Sequence, residues 1–314
     1  MDLDLSRAWY CWEDIFSEDK GVDMQEQLIE IKQDFKGFNA FFGSWLCQDE
    51  HTFVVDVGPA NTAGRLIDSL ASMGVEKVDY VLLTHIHIDH AGGLADLLEY
   101  YPMARVVCHD KAAKYLADPS KLWEGSLEVL GEIARLYGPP RPVPGEKVIP
   151  HTQTAVEDLI VMETPGHAAH HLSFSYKNRL FVGEASGNYF VVAGKEYLRP
   201  ATPPRFFLDV CLRSIDTLLA LEDQPICFAH FGRAESSHRL LRMFRDQLMR
   251  WKEIIGEQMK KDDADLVKRC TETLLEKDPC LMAFDKMDPE TQGRERRFMA
   301  NAIMGFVGFL QQDE

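Results

Sequence analysis

Positive charge is scarce in this sequence: 34 Lys and Arg face 50 Asp and Glu, a formal net charge of -16. Binding to a phosphate backbone rests on clustered Lys and Arg, so nucleic acid is not the expected partner. Long apolar runs are missing as well. No stretch approaches the ~20 apolar residues of a membrane-spanning helix, which excludes the membrane as an expected partner. The start, Met1-Asp2-Leu3-Asp4, has neither the basic residues nor the apolar run of a secretory leader. The seven cysteines form no CxxC pair and are odd in number. Cys11, Cys47, Cys108, Cys211, Cys227, Cys270 and Cys280 therefore read as reduced core residues, and the expected location is cytoplasmic. Repeats and low-complexity tracts are absent. What is left, 46% hydrophobic and 27% charged, is the composition of an ordinary globular protein.

The chemistry is concentrated in ten residues, Thr84 to Gly93. Before them, residues 78–83 are apolar and β-branched, as in a buried strand. After them, Leu94, Leu97 and Leu98 recur at helical spacing over residues 91–100. His85, His87, Asp89 and His90 thus share one strand-to-helix loop. Alternate residues of an extended segment point the same way, so His85 and His87 can converge on one ion. Gly92 and Gly93 let the backbone fold tightly beside them. Imidazole and carboxylate suit zinc, iron or manganese, and no thiolate suggests a closed structural site.

This stretch resembles the HxHxDH signature of the metallo-β-lactamase superfamily, and further matches follow in order. Asp56 ends the run Val54-Val55-Asp56-Val57-Gly58, His167 follows Thr164-Pro165-Gly166, Glu184 follows Gly183, and His230 follows residues 226–229. The resemblance spans roughly residues 27–232. It implies an α/β fold, a four-layer αββα sandwich with a C-terminal helical extension. It implies that His85, His87 and His167 hold one metal and Asp89, His90 and His230 a second, with Glu184 bridging and Asp56 supporting the loop. Two divalent ions are expected, zinc first, with iron or manganese as alternatives. A hydroxide shared by the metals would attack a small ester, thioester or lactone, oriented by Asp89 as the catalytic carboxylate. The family usually has aspartate at the bridge, and Glu184 departs from it. Two other readings stay open: a mononuclear iron persulfide dioxygenase and a phosphodiesterase of the same fold. Glutamate is usual at the position of His87 in the diiron flavoprotein relatives, which disfavours that branch.

Along the chain, residues 1–26 are mixed and are expected to form a short helix. Strands are expected over 28–35, 39–47, 52–57, 105–108, 159–162, 172–175 and 180–182. Helices are expected over 63–73, 109–116, 122–137, 208–221, from 235 onward, 266–275 and 290–310. The helix over 122–137 reads as an insertion that shapes the site. His109 and His151 read as surface or structural histidines, His170 as a bystander, and His171 as a support for the metal residues or a substrate contact. Residues 187–207 read as an irregular lid, with Tyr189 and Arg199 as its substrate contacts. Residues 1–232 form the expected catalytic domain and 233–314 the helical region, whose first helix should wall the pocket. A small-molecule substrate is the expected partner, and a homo-oligomer stays open.

Overall fold

Strict two-residue alternation decides how the sheets are covered. In the computed structural model, which describes residues 24–261 and 265–312, β1 (Gln25–Glu30), β2 (Gly43–Gln48), β3 (Thr52–Val55), β4 (Tyr80–Leu82), β5 (Arg105–Cys108) and β6 (Val148–Pro150) form one sheet in that order. The first three strands run antiparallel and the rest parallel. A second sheet uses β7 (Leu159–Glu163), β8 (Leu172–Tyr176), β9 (Arg179–Gly183), β12 (Ile226–Phe228) and β13 (Arg233–Ala234), in the spatial order β13-β12-β9-β8-β7. Between them in sequence, β10 (Asn188–Val192) and β11 (Lys195–Arg199) form a separate hairpin.

Trp45, Phe53, Val55, Leu82 and Val107 of the first sheet meet Leu172, Phe174, Phe181 and Cys227 of the second in one core. The intervening residues, Leu46, Val54, Val81 and Val106, face the opposite way. There they are covered by α1 (Ala63–Ser72), α3 (Leu94–Tyr100) and their neighbours. Because both faces are covered, the strands read as continuous apolar runs. The Trp45 indole N–H donates to the Phe228 carbonyl at 2.9 Å, tying sheet to sheet. On the outer face of the second sheet lie α7 (Leu208–Leu219), α8 (Ser237–Met259), α9 (Leu266–Lys277) and α10 (Pro289–Leu310), in one continuous core with it. The architecture is the four-layer αββα sandwich with C-terminal helices. Four more helices complete the α-helical set before α7 among the described residues: α2 (Ile88–Ala91), α4 (Ala113–Ala117) and the broken pair α5 (Ser120–Leu130) and α6 (Glu132–Tyr137).

Several expectations are corrected. The helix over 122–137 is split at Gly131, whose φ of 58° turns the chain between α5 and α6. Strand β1 starts earlier and stops at Glu30, and residues 37–42 form a loop rather than the start of β2. The helix after β5 begins at Ala113, not at residue 109. The supposed irregular lid is mostly the β10–β11 hairpin, closed by Ala193 and Gly194, both at positive φ. Of the helix expected over residues 1–26, residues 1–23 lie outside the described residues, and Gln25 and Glu26 belong to β1. Cys47, Cys108, Cys211, Cys227, Cys270 and Cys280 are buried and free, whereas Cys11 lies outside. No helix among the described residues is long and apolar enough to cross a membrane.

Candidate metal centre

Parallel strands β3 and β4 end side by side, and the loops at those ends carry the chemistry. Asp56 follows β3 with φ 55°, a left-handed turn that aims its carboxylate across to the neighbouring loop. The Thr84 N–H donates to Asp56 Oδ1 at 2.8 Å and the Thr84 hydroxyl to Oδ2 at 2.7 Å. His85 Nδ1 lies 3.0 Å from that hydroxyl oxygen, and His90 Nδ1 lies 3.1 Å from Asp56 Oδ2. Both rings therefore donate from Nδ1, which leaves each Nε2 lone pair free. Both Nε2 atoms are buried and lack a hydrogen-bond partner among the described residues. Gly92 sits where a Cβ would meet the Ile88 carbonyl at 2.2 Å and Ala60 N at 2.7 Å, so only glycine lets the loop close.

Loops of the second sheet complete the cluster. His167 Nδ1 lies 2.7 Å from the Ala201 carbonyl and donates to it, and His167 Nε2 stands 3.0 Å from His87 Nδ1. Glu184 lies between two groups of side chains. Its Oε2 is 3.0 Å from His167 Nε2, 3.4 Å from His90 Nε2 and 3.6 Å from His85 Nε2, while Oε1 is 3.2 Å from His230 Nε2. Asp89 Oδ2 is 3.7 Å from His90 Nε2 and 3.8 Å from His230 Nε2. His85, His87, His167 and Glu184 thus form one group with converging donor atoms, and Asp89, His90 and His230 form another. Buried imidazole nitrogens aimed at common points beside carboxylates, two of them without a hydrogen-bond partner among the described residues, fit divalent metal ions.

The electrostatics agree. Burial and neighbouring imidazoles hold His85 and His87 well below the ordinary histidine range. Burial alone would raise the Glu184 carboxyl, yet His167 and His230 bring it well below the carboxylate range. Burial opposes charge on His90 too, but Asp89, Asp56 and Glu184 outweigh it and raise its pKa.

Of the expected substrate contacts, His171 is wholly buried. Its Nε2 accepts the Glu184 N–H at 3.0 Å, and its Nδ1 is 2.9 Å from the Thr164 hydroxyl. It fixes the backbone of Glu184 rather than meeting solvent. A Cβ on Gly183 would lie 2.4 Å from His171 Nε2, and its φ of 57° also favours glycine there. The other two expectations are corrected. The Tyr189 hydroxyl donates to Glu196 at 2.8 Å and its ring stacks on Phe228. Arg199 is buried and donates from Nε to Glu295 of α10. Both side chains are engaged within the fold by partners that sequence proximity does not reveal.

Residues that sequence reading missed surround His230. Phe41 stacks on its ring at 4.4 Å, and Phe42 lies 5.5 Å away. Tyr137 of α6 meets Phe42 edge-on at 5.3 Å, and burial together with the charge of Asp89 raises its pKa. Phe298 of α10 stacks on Phe41 at 5.6 Å, and the Arg294 guanidinium lies 4.0 Å over the Phe41 ring. The aromatic pattern Phe38, Phe41, Phe42 was the available signal. Of the helical region, α10 reaches this ring stack, while α8 touches Gly187 through Phe244.

Residues 44–230 match the family model described as the metallo-beta-lactamase superfamily. A metallo-beta-lactamase fold-containing protein of Sulfurisphaera tokodaii is 32% identical over 197 residues, covering 60% of this chain and 71% of that protein. A hydroxyacylglutathione hydrolase of Photobacterium profundum is 24% identical over 276 residues, covering 82% of this chain and 94% of its own. Among solved structures, an archaeal metallo-beta-lactamase superfamily protein from Sulfolobus tokodaii superposes with a TM-score of 0.61 at 23% identity, covering 89% of this chain and 98% of that one. A metallo-beta-lactamase family protein from Thermus thermophilus gives 0.60 at 20% identity, covering 92% and 93%.

Proposed function

The chain belongs to the metallo-β-lactamase superfamily and is a metallo-hydrolase, and from that premise we propose a dinuclear centre that hydrolyses a small thioester, ester or lactone. The observation that carries this reading is Glu184, whose two oxygens reach His167 at 3.0 Å and His230 at 3.2 Å, one in each donor group. A carboxylate so placed offsets the mutual repulsion of two cations, which favours two ions over the mononuclear alternative. His85, His87 and His167 would hold one ion, Asp89, His90 and His230 the other, zinc being the first choice for this donor set.

Divalent ions held there supply a water-derived nucleophile near neutral pH and polarise the attacked carbonyl. Asp89 is the more exposed of the two central carboxylates, at 16% against 6% for Glu184. Being the more accessible, it is assigned the proton of the attacking water. Water oxygen bonds to the acyl carbon, the bond from that carbon to sulfur or oxygen breaks, and the leaving group departs with the proton from Asp89. Asp56 and Thr84 keep His85 and His90 in the tautomer that offers Nε2 inward. Catalysis is assigned to residues 1–232, and α10 of the helical region backs His230 through Phe298 and Phe41.

The hydroxyacylglutathione hydrolases among the relatives put thioesters first in the panel. The test is elemental analysis of the chain purified without added metal, followed by thioester, lactone and phosphodiester substrates. About two ions per chain with thioester or lactone turnover supports the proposal. One iron per chain, with oxygen consumed on a persulfide, overturns it.

A further inference from the structure

We propose that His109, His151 and Glu163 form a third divalent-metal site, separate from the main cluster and structural in role. The three residues come from three strand ends. His109 follows β5, His151 follows β6, and Glu163 closes β7 of the other sheet. Their donor atoms lie within 4.8 Å of one another. Glu163 Oε1 is 3.2 Å from His151 Nε2, and Oε2 is 3.6 Å from His109 Nε2. Ligands about 2.0–2.2 Å from a zinc ion stand some 3–3.6 Å apart, so the spacing is right.

Two further observations point to an ion. His109 is 3% exposed, and its Nε2 has no hydrogen-bond partner among the described residues, although it faces the carboxylate. A buried imidazole nitrogen left in this way needs a partner that the protein does not provide. Burial also lowers the His109 pKa, the direction that favours the neutral ring. Next, the Asp110 carboxylate lies 2.9 Å from His151 Nδ1, nearer than Asp110's own N–H at 3.3 Å. That carboxylate can take the Nδ1 proton once Nε2 is given to a metal, in place of the Asp110 N–H that Nδ1 now accepts. Glu163 and Asp110 are about half exposed, which leaves a route from solvent.

One contact limits the affinity. The Lys111 N–H donates to His109 Nδ1 at 3.1 Å. Binding at Nε2 moves the ring proton to Nδ1 and turns that N–H away. The site therefore fills after the main cluster. Once filled, it clamps the first sheet to Glu163, four residues ahead of His167, and so steadies the loop that carries that residue.

The experiment uses the full chain with its main centre loaded, dialysed against graded zinc. Wild type should take up about one zinc more than His151→Gln or Glu163→Gln. Its unfolding temperature should rise with zinc beyond that of either variant, by the linkage expected of an ion bound only to the folded state. Crystals soaked in zinc should show an anomalous peak between His109 and His151. Equal zinc in wild type and both variants, or anomalous density confined to the main cluster, overturns the proposal. Zinc at the main cluster is counted in the same maps, so failure here leaves the hydrolase reading untouched.

Discussion

Phe41 lies nearly parallel to His230, with ring centroids 4.4 Å apart and planes at 23°. Phe298 of the last helix stacks on Phe41 in turn, at 5.6 Å and 21°. The His230 ring is held by this stack, since its Nδ1 has no hydrogen-bond partner among the described residues. Phe298→Ala should therefore loosen His230 as well as the fold. The expected cost is about 2 kcal/mol, below the range for a fully buried phenylalanine because Phe298 is only partly buried. Metal at the His230 group should weaken about tenfold. Urea unfolding and chelator competition measure the two, and destabilisation with unchanged metal affinity would sink the link.

Glu184 tests the pairing of the two groups. Glu184→Ala should lower metal content from about two toward one per chain, with activity reduced at least ~10–100-fold. Three neutral imidazoles can still keep the first ion. Glu184→Asp restores the usual family side chain on a backbone shaped for a longer one, so partial recovery is expected. Two metals retained in the alanine variant would show that Glu184 is no ligand.

Asp56 touches no expected metal position, yet it sets two tautomers through Thr84 and His90. Asp56→Ala should reduce metal affinity by ~10–100-fold. Competition against a chelator of known strength gives the number. An unchanged affinity would mean that the histidines orient themselves.

The buried Glu295 sets a pH limit on stability. Burial would raise its carboxyl, but Arg199 and Arg294 hold it below its ordinary value of 4.5. The unfolded chain therefore takes up this proton at higher pH than the folded one. The stabilisation is complete above about pH 4.5 and is lost as the pH falls through the lowered folded value. Glu295→Gln leaves two buried guanidinium groups without a counter-charge, so it should cost about 3–5 kcal/mol near neutrality. It should also flatten the acid slope. Urea midpoints taken from neutral to acid pH measure this, and parallel curves for the two proteins would refute it.

Legibility followed the range of the interactions. The loop from Thr84 to Gly93 was readable because strand, ligands, glycines and helix lie consecutively. The core faces of β2 to β5 were readable because apolar residues run unbroken between polar turns. The β10–β11 hairpin was missed because its turn is Ala193-Gly194 rather than the Asn-Gly that usually announces the type. Gly131 was read through because one glycine in a helical pattern costs only ~1 kcal/mol. Arg199 was misjudged for a different reason. Its partner Glu295 lies 96 positions away, and no local pattern discloses such a pair.

The Arg294 guanidinium also donates to the Gly37 carbonyl at 2.6 Å, across 257 positions of sequence. That contact and the ring stack beside it join the two ends of the described chain, and this orders events during synthesis. A chain emerging from the ribosome can form both sheets and present His85, His87, Asp89, His90, His167 and Glu184 long before α10 exists. The packing behind His230 is completed only when α10 docks on the loop of residues 37–42. All but one of the seven cluster side chains can thus be in place before α10 is made, and the His230 ring is the one whose support comes last.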